Sequence, residues 1–136
     1  MRPREAPRLT FRRRHRLSGG GAFRRAYQGG LRRASAAFTL FMVPNDLDHP
    51  RLGLSVPRRV GDAVTRNRVK RLLREAFRGV QHDLPSHANG RYDLVLAVRP
   101  HEALPLEEYA RTIRTLAERA HADAERRRGE PTGDGM

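Results

Sequence analysis

The sequence predicts an α+β fold, a single αββαβα sandwich domain in which a small sheet carries helices. Three stretches predict it. Residues 36–43 alternate with period two, residues 92–98 (YDLVLAV) are almost uniformly apolar, and residues 65–78 (TRNRVKRLLREAFR) repeat their apolar side chains at helical spacing. A chain of 136 residues suffices for one domain with a modest core and not for two.

Residues 1–10, rich in Arg and Pro, are expected to be a disordered basic tail, followed by a basic run over 11–16. Ser18 is placed to cap a short first helix carrying Phe23, Ala26 and Tyr27 at i, i+3 and i+4, with Gly29 and Gly30 as its stop. Gly19, Gly20 and Gly21 weaken its start, at about 1 kcal/mol each relative to Ala. The first strand then puts Phe38, Leu40 and Met42 on one face, and Ala37, Thr39, Phe41 and Val43 on the other. Residues 44–50 (PNDLDHP) are turn chemistry, and 51–56 form a second strand, with Leu52, Leu54 and Val56 opposite Gly53 and Ser55. A hairpin between these two strands is expected.

Pro57 ends the second strand, Asp62 stands at the N-cap of the central helix, and Gly79 is read as its terminator. Residues 84–90 are loop, and 92–98 form an interior strand covered on both faces. Pro105 at a first helical position, Glu107 and Glu108 in the first turn, and Leu106, Tyr109, Ile113, Leu116, Ala117 and Ala120 at helical spacing mark a closing helix to about Asp123. The domain therefore covers 11–124, and 125–136 is expected to be a disordered tail.

The formal net charge of +13 and the isoelectric point of about 11.6 belong to nucleic-acid binders more than to metabolic enzymes. The charge is uneven. Residues 1–80 hold 20 Lys and Arg against 5 Asp and Glu, whereas 81–136 hold 8 against 10. No apolar run approaches the ~18 residues of a membrane span, and the N-terminus lacks a signal peptide's apolar stretch, so a soluble cytoplasmic protein is the expectation.

Residues that do chemistry are poorly represented. Cysteine is absent, and the six histidines are scattered without metal-ligand spacing. Asp46 and Asp48 sit in a turn, where such residues bond to the backbone, and Gly19–Gly21 lacks the Lys-Ser/Thr of a phosphate loop. No catalytic residues and no bound metal are expected of the protein alone.

Binding chemistry is abundant. On the central helix Arg66, Lys70, Arg74 and Arg78 form one stripe with Asn67 and Arg71 beside it, while Val69, Leu72, Leu73, Ala76 and Phe77 take the opposite side. Like charges at i,i+4 each cost a few tenths of a kcal/mol in an isolated helix, so this face is suited to a polyanion that completes it. Guanidinium groups at that spacing lie about 6 Å apart along the axis, close to the separation of successive backbone phosphates. Six to eight such contacts imply a log–log salt slope of about −5 to −7. Phe23, Tyr27 and Phe41 allow two readings, core rings or a floor on which unstacked bases lie at about 1–3 kcal/mol each.

Residues 51–77 (RLGLSVPRRVGDAVTRNRVKRLLREAF), with the motif Arg66-Asn67-Arg68, resemble the signature region of the bacterial ribonuclease P protein subunit. The similarity extends through RRRHRLSGGGAFRRAYQGG, AAFTLF and YDLVLAVRP, over about residues 11–120. The resemblance implies a ribosomal-protein-like αββαβα module with a left-handed βαβ crossover. It also implies a subunit that assists a catalytic RNA, which uses Mg²⁺ to remove the 5′ leader from precursor tRNA, in a one-to-one protein–RNA complex. By position, Arg58, Arg59, Arg66, Asn67, Arg68, Lys70, Arg71 and Arg74 would contact the RNA subunit, and Phe23, Tyr27, Phe41 and Arg16 would line the leader cleft. The glycines at 19–21 and the Tyr27 and Phe41 pairing depart from the family's usual pattern. A ribosomal-type RNA-binding protein without a role in cleavage is the alternative; a protein-only nuclease lacks the clustered carboxylates or paired histidines it needs.

Overall fold

The structure is a computed structural model that describes residues 13–129; the expected basic tail at 1–10 lies outside that range. The elements are α1 (Gly20–Gln28), β1 (Leu31–Ala34), β2 (Phe38–Pro44), β3 (Arg51–Ser55), α2 (Ala63–Val80), β4 (Tyr92–Val98) and α3 (Leu106–Gly129). Single 3₁₀ turns occupy Arg13–His15, Arg58–Val60 and Gln81–Asp83.

The strands form one sheet in the order β1-β2-β4-β3, with β4 antiparallel to β2 and parallel to β3. The expected hairpin of residues 36–43 with 51–56 is therefore not formed. β4 is buried along nearly its whole length and wins the place between them, because only an interior position covers both of its apolar faces. The tight hairpin joins β1 to β2 instead, and β1 is a strand that period counting over four residues did not reveal. β3, α2 and β4 form the parallel crossover unit to which the implied left-handed connection refers.

One sheet face carries Phe38, Leu40, Met42, Leu52, Leu94 and Leu96 into the main core against Leu73, Ala76 and Phe77 of α2 and Tyr109, Ile113 and Ala117 of α3. Each large side chain buried there contributes roughly 1.5–3 kcal/mol. The opposite face carries a smaller core, Leu17, Ala26 and Val95, with Ala22, Phe23, Phe41 and Val43 at its margin, beneath α1. The alternation read in residues 38–43 and 52–55 places these side chains as expected.

Several boundaries differ from the sequence expectation. The N-cap of α1 is Gly19 at φ 90°, a left-handed conformation suited to glycine, and no side chain caps the helix there, so Ser18 is not the cap. Gly79 does not stop α2: Val80 and Gln81 beyond it are buried, and that burial carries the helix through to Val80. Pro105 precedes α3, its carbonyl accepting from the amides of Glu108 and Tyr109 at 3.0 and 3.2 Å. α3 also runs on to Gly129 rather than giving way to a tail at 125. Arg33 of β1 grips Asp123 through Nε at 2.9 Å and Nη2 at 2.8 Å, and Arg127 donates to the Gly30 carbonyl at 3.0 Å, so the last turns have something to pack on. Residues 130–136 lie outside the described range.

Candidate nucleic-acid interface

The central helix begins at Asp62, whose carboxylate accepts from the Thr65 amide at 2.8 Å and is held below the usual carboxylate range chiefly by that backbone bond. The anchored first turn fixes the rotation of α2. Val69, Leu73, Ala76, Phe77 and Val80 face the core, Asn67, Arg68 and Arg71 are exposed, and Arg66, Lys70 and Arg74 are half-buried at the boundary.

No carboxylate among the described residues pairs with Arg66, Arg68, Lys70, Arg71 or Arg74. The Arg66 side chain donates to the Gly61 carbonyl at 3.1 Å. Arg78 is the exception on the stripe: it is ion-paired with Glu75 three residues earlier, so the unmatched run stops at Arg74. Arg58 and Arg59 lie exposed in the turn that leads into α2 and continue the positive surface past its N-terminus.

Beside this face the segment Arg13–Leu17 runs along the outer edge of β3, with the Leu17 amide donating to the Leu52 carbonyl at 2.9 Å and Arg16 bridged to Leu52. Arg16 thereby joins Lys70 and Arg74 around a depression of about 140 Å³ whose apolar lining includes Phe23, Leu52 and Leu54. Burial lowers the Arg74 pKa first, and the like charge of Arg16 lowers it further. Cations crowded together in a partly desolvated notch without a carboxylate raise the energy of the free protein, and an entering phosphate lowers it.

The rings form the next part of the surface. Phe23 and Tyr27, one helical turn apart on α1, stand 6.4 Å apart at 53°, and Tyr27 meets Phe41 of β2 edge-on at 4.8 Å. Tyr27 is 41% exposed, whereas Phe23 and Phe41 are half-buried. The rings pack on one another, with Phe23 and Phe41 against the smaller core and Tyr27 the exposed member. Phe23 also fills the space above Gly53, so that position seats a ring.

Of the residues singled out from the sequence, Arg16, Phe23, Lys70 and Arg74 line one depression, Tyr27 and Phe41 adjoin Phe23, and Arg58, Arg59, Arg66, Asn67, Arg68 and Arg71 lie on α2 and the turn before it. Arg32 was missed. It lies on β1 with its guanidinium carbon 5.5 Å from the centroid of Phe41. Its faint sequence signal is the Gly29-Gly30 stop followed by Leu31-Arg32-Arg33, in which buried and exposed positions begin to alternate. Among the described residues no group of three His, Asp or Glu side chains is placed to hold a metal ion, and no helix is long and apolar enough to cross a membrane.

Comparison with known proteins gives one answer. The family model described as Ribonuclease P matches residues 11–121. A "Ribonuclease P protein component" from Syntrophus aciditrophicus is 44% identical over 70 residues, 52% of this chain and 59% of that protein. Another from Photobacterium profundum is 44% identical over 80 residues, 58% of this chain and 68% of that one. Among solved structures, the Staphylococcus aureus RNase P protein aligns with a TM-score of 0.62 at 30% identity, over 78% of this chain and 94% of that one. The Thermotoga maritima RNase P protein aligns with a TM-score of 0.65 at 27% identity, over 76% and 96%.

Proposed function

This chain belongs to the bacterial ribonuclease P protein family, and from that premise we propose that it serves as the protein subunit of the holoenzyme, assisting a catalytic RNA that removes the 5′ leader from precursor tRNA. The observation that carries the reading is the face of α2 from Arg66 to Arg74, whose cations have no carboxylate among the described residues. In this reading Arg58, Arg59, Arg66, Asn67, Arg68, Lys70, Arg71 and Arg74 hold the RNA subunit, and Arg16, Phe23, Tyr27 and Phe41 receive the single-stranded leader.

The division of labour follows from charge and ring geometry. Guanidinium groups on a rigid helix neutralise phosphates without needing to be ordered first, so bringing two RNAs together costs less repulsion and requires less Mg²⁺. Bases of an unpaired leader stack on the exposed rings, at about 1–3 kcal/mol per stacked base, without regard to their identity. The Mg²⁺ chemistry resides in the RNA. The protein binds and orients, as one copy per RNA, in the cytoplasm where precursor tRNA is processed.

Reconstitution tests this directly. Purified protein added to its cognate RNA subunit should restore precursor cleavage at Mg²⁺ concentrations where the RNA alone is slow. No gain over the RNA alone overturns the reading, and co-purification with ribosomal RNA in place of the ribonuclease P RNA would favour a ribosomal-type binding role.

A further inference from the structure

Arg32, Phe41, Val95 and Gly53 stand in a single lateral line across all four strands, since Arg32 pairs with Phe41, Phe41 with Val95, and Val95 with Gly53. Residues in lateral register project to the same face, here the one beneath α1. The line spans three inter-strand steps, or about 14 Å. At the β3 end it meets Phe23 and the cations Arg16, Lys70 and Arg74. At the β1 end it finishes on exposed Arg32, over the ring of Phe41.

Arg32 has no carboxylate partner among the described residues, and Asp123 is taken on the other side of the strand by Arg33. That bond and the one from Arg127 to Gly30 lock β1 to α3, so Arg32 is presented from a fixed strand rather than a loop. A guanidinium plane over an aromatic face makes a cation–π contact and also offers a surface on which a base stacks. Cations at both ends with rings between them suit an extended single strand and have no evident use in the free protein.

We infer that the leader track crosses the full width of the sheet and that Arg32 is its distal anchor, holding a leader phosphate about two nucleotide steps beyond Arg16 at the β3 end. This rests on the leader-cleft reading. The α2 end adjoins the surface assigned to the catalytic RNA, so Arg32 lies on the side away from the cleavage site.

The test uses the reconstituted holoenzyme and precursor tRNAs whose leaders are shortened one nucleotide at a time. Arg32→Ala should weaken binding of long-leader precursors roughly fivefold and lower the salt slope by about 0.7, the value for one contact to a single strand. Tyr27 meets Phe41, one strand step from Arg32, so the loss should vanish at a leader length about one nucleotide longer than the one at which the Tyr27→Ala loss vanishes. Arg32→Lys should recover the salt slope. If Arg32→Ala costs nothing, or costs the same at every leader length, while Tyr27→Ala still distinguishes long leaders from short, the inference fails and the cleft reading stands. If neither variant responds to leader length, the cleft reading fails as well.

Discussion

The ring of Phe23 lies on the backbone of Gly53, so close that a β-carbon on Gly53 would come within 2.7 Å of Phe23 Cζ. This contact seats α1 on the sheet and sets the height of the aromatic floor. Gly53→Ala should push Phe23 aside, because the clash falls on the far end of a side chain and the Gly53 backbone itself tolerates alanine. We expect a loss of about 1–3 kcal/mol, the usual range for overpacking, read by denaturant unfolding, together with weaker binding of leader-bearing precursor. Unchanged stability and unchanged leader binding would show that the ring's position is not fixed by Gly53.

Removing charge from α2 should change binding without changing the fold. Arg68 and Arg71 are exposed and carry no carboxylate partner among the described residues. Arg68→Ala combined with Arg71→Ala should alter stability by less than about 0.5 kcal/mol. The same double variant should flatten the salt dependence of RNA-subunit binding by nearly 2 in log–log slope. Titrations at a series of salt concentrations measure this, and an unaltered slope would place the RNA elsewhere.

Tyr27 is the most exposed of the three rings, and its edge contact with Phe41 keeps it upright. Tyr27→Ala should cost about 1–3 kcal/mol of binding to precursor with a leader and nothing with mature tRNA. Tyr27→Phe should retain most of that binding, since stacking needs the ring and not the hydroxyl. Equal losses on both substrates in a competition assay would contradict the cleft.

Arg51 and Asp93 form a two-point ion pair across β3 and β4 at 2.8 and 2.7 Å, and Asn45 adds a third bond to the carboxylate at 2.9 Å. Asp93 is 3% exposed, so Arg51→Met would strand a buried charge. The expected cost is about 3–5 kcal/mol, measurable by thermal or urea unfolding. Arg51→Met combined with Asp93→Leu should recover much of it, because the penalty lies in the unpaired carboxylate.

Acid should loosen β1 from α3. The Asp123 carboxyl is held below its ordinary value first by hydrogen bonds from Arg33 and then by the charges of Arg33 and Arg126, against the opposing effect of burial. A carboxyl depressed in the folded state contributes stability above its unfolded value of about 3.9, and loses it as pH falls through the lower folded value. Asp123→Asn should therefore be less stable than the parent at neutral pH, and the gap should narrow below about pH 4. A gap that stays constant down to pH 2 would assign the effect to packing instead of charge.

Much of the candidate interface was legible in the sequence because it is local. The two faces of α2, the alternation of β2 and β3 and the charge imbalance between the two parts of the chain all follow from spacing along one segment, and so do the Asp62 cap and the Arg66-Asn67-Arg68 motif. The rings of Phe23, Tyr27 and Phe41 could be singled out but not placed, since whether a ring is core or rim depends on what covers it.

What only the tertiary structure decided involves partners distant in sequence. β4 entered between β2 and β3 because its two apolar faces needed covering, and that choice dissolved the expected hairpin. β1 pairs with β2 and is tied to α3 by Arg33 on Asp123, ninety residues away, and α3 reaches Gly129 with Arg127 on the Gly30 carbonyl. The line from Arg32 to Gly53 is a product of that strand order. Periodicity records which way a side chain points within its own element; the free energy of burying one element against another chooses its neighbours, and the sequence of a single segment does not contain that term.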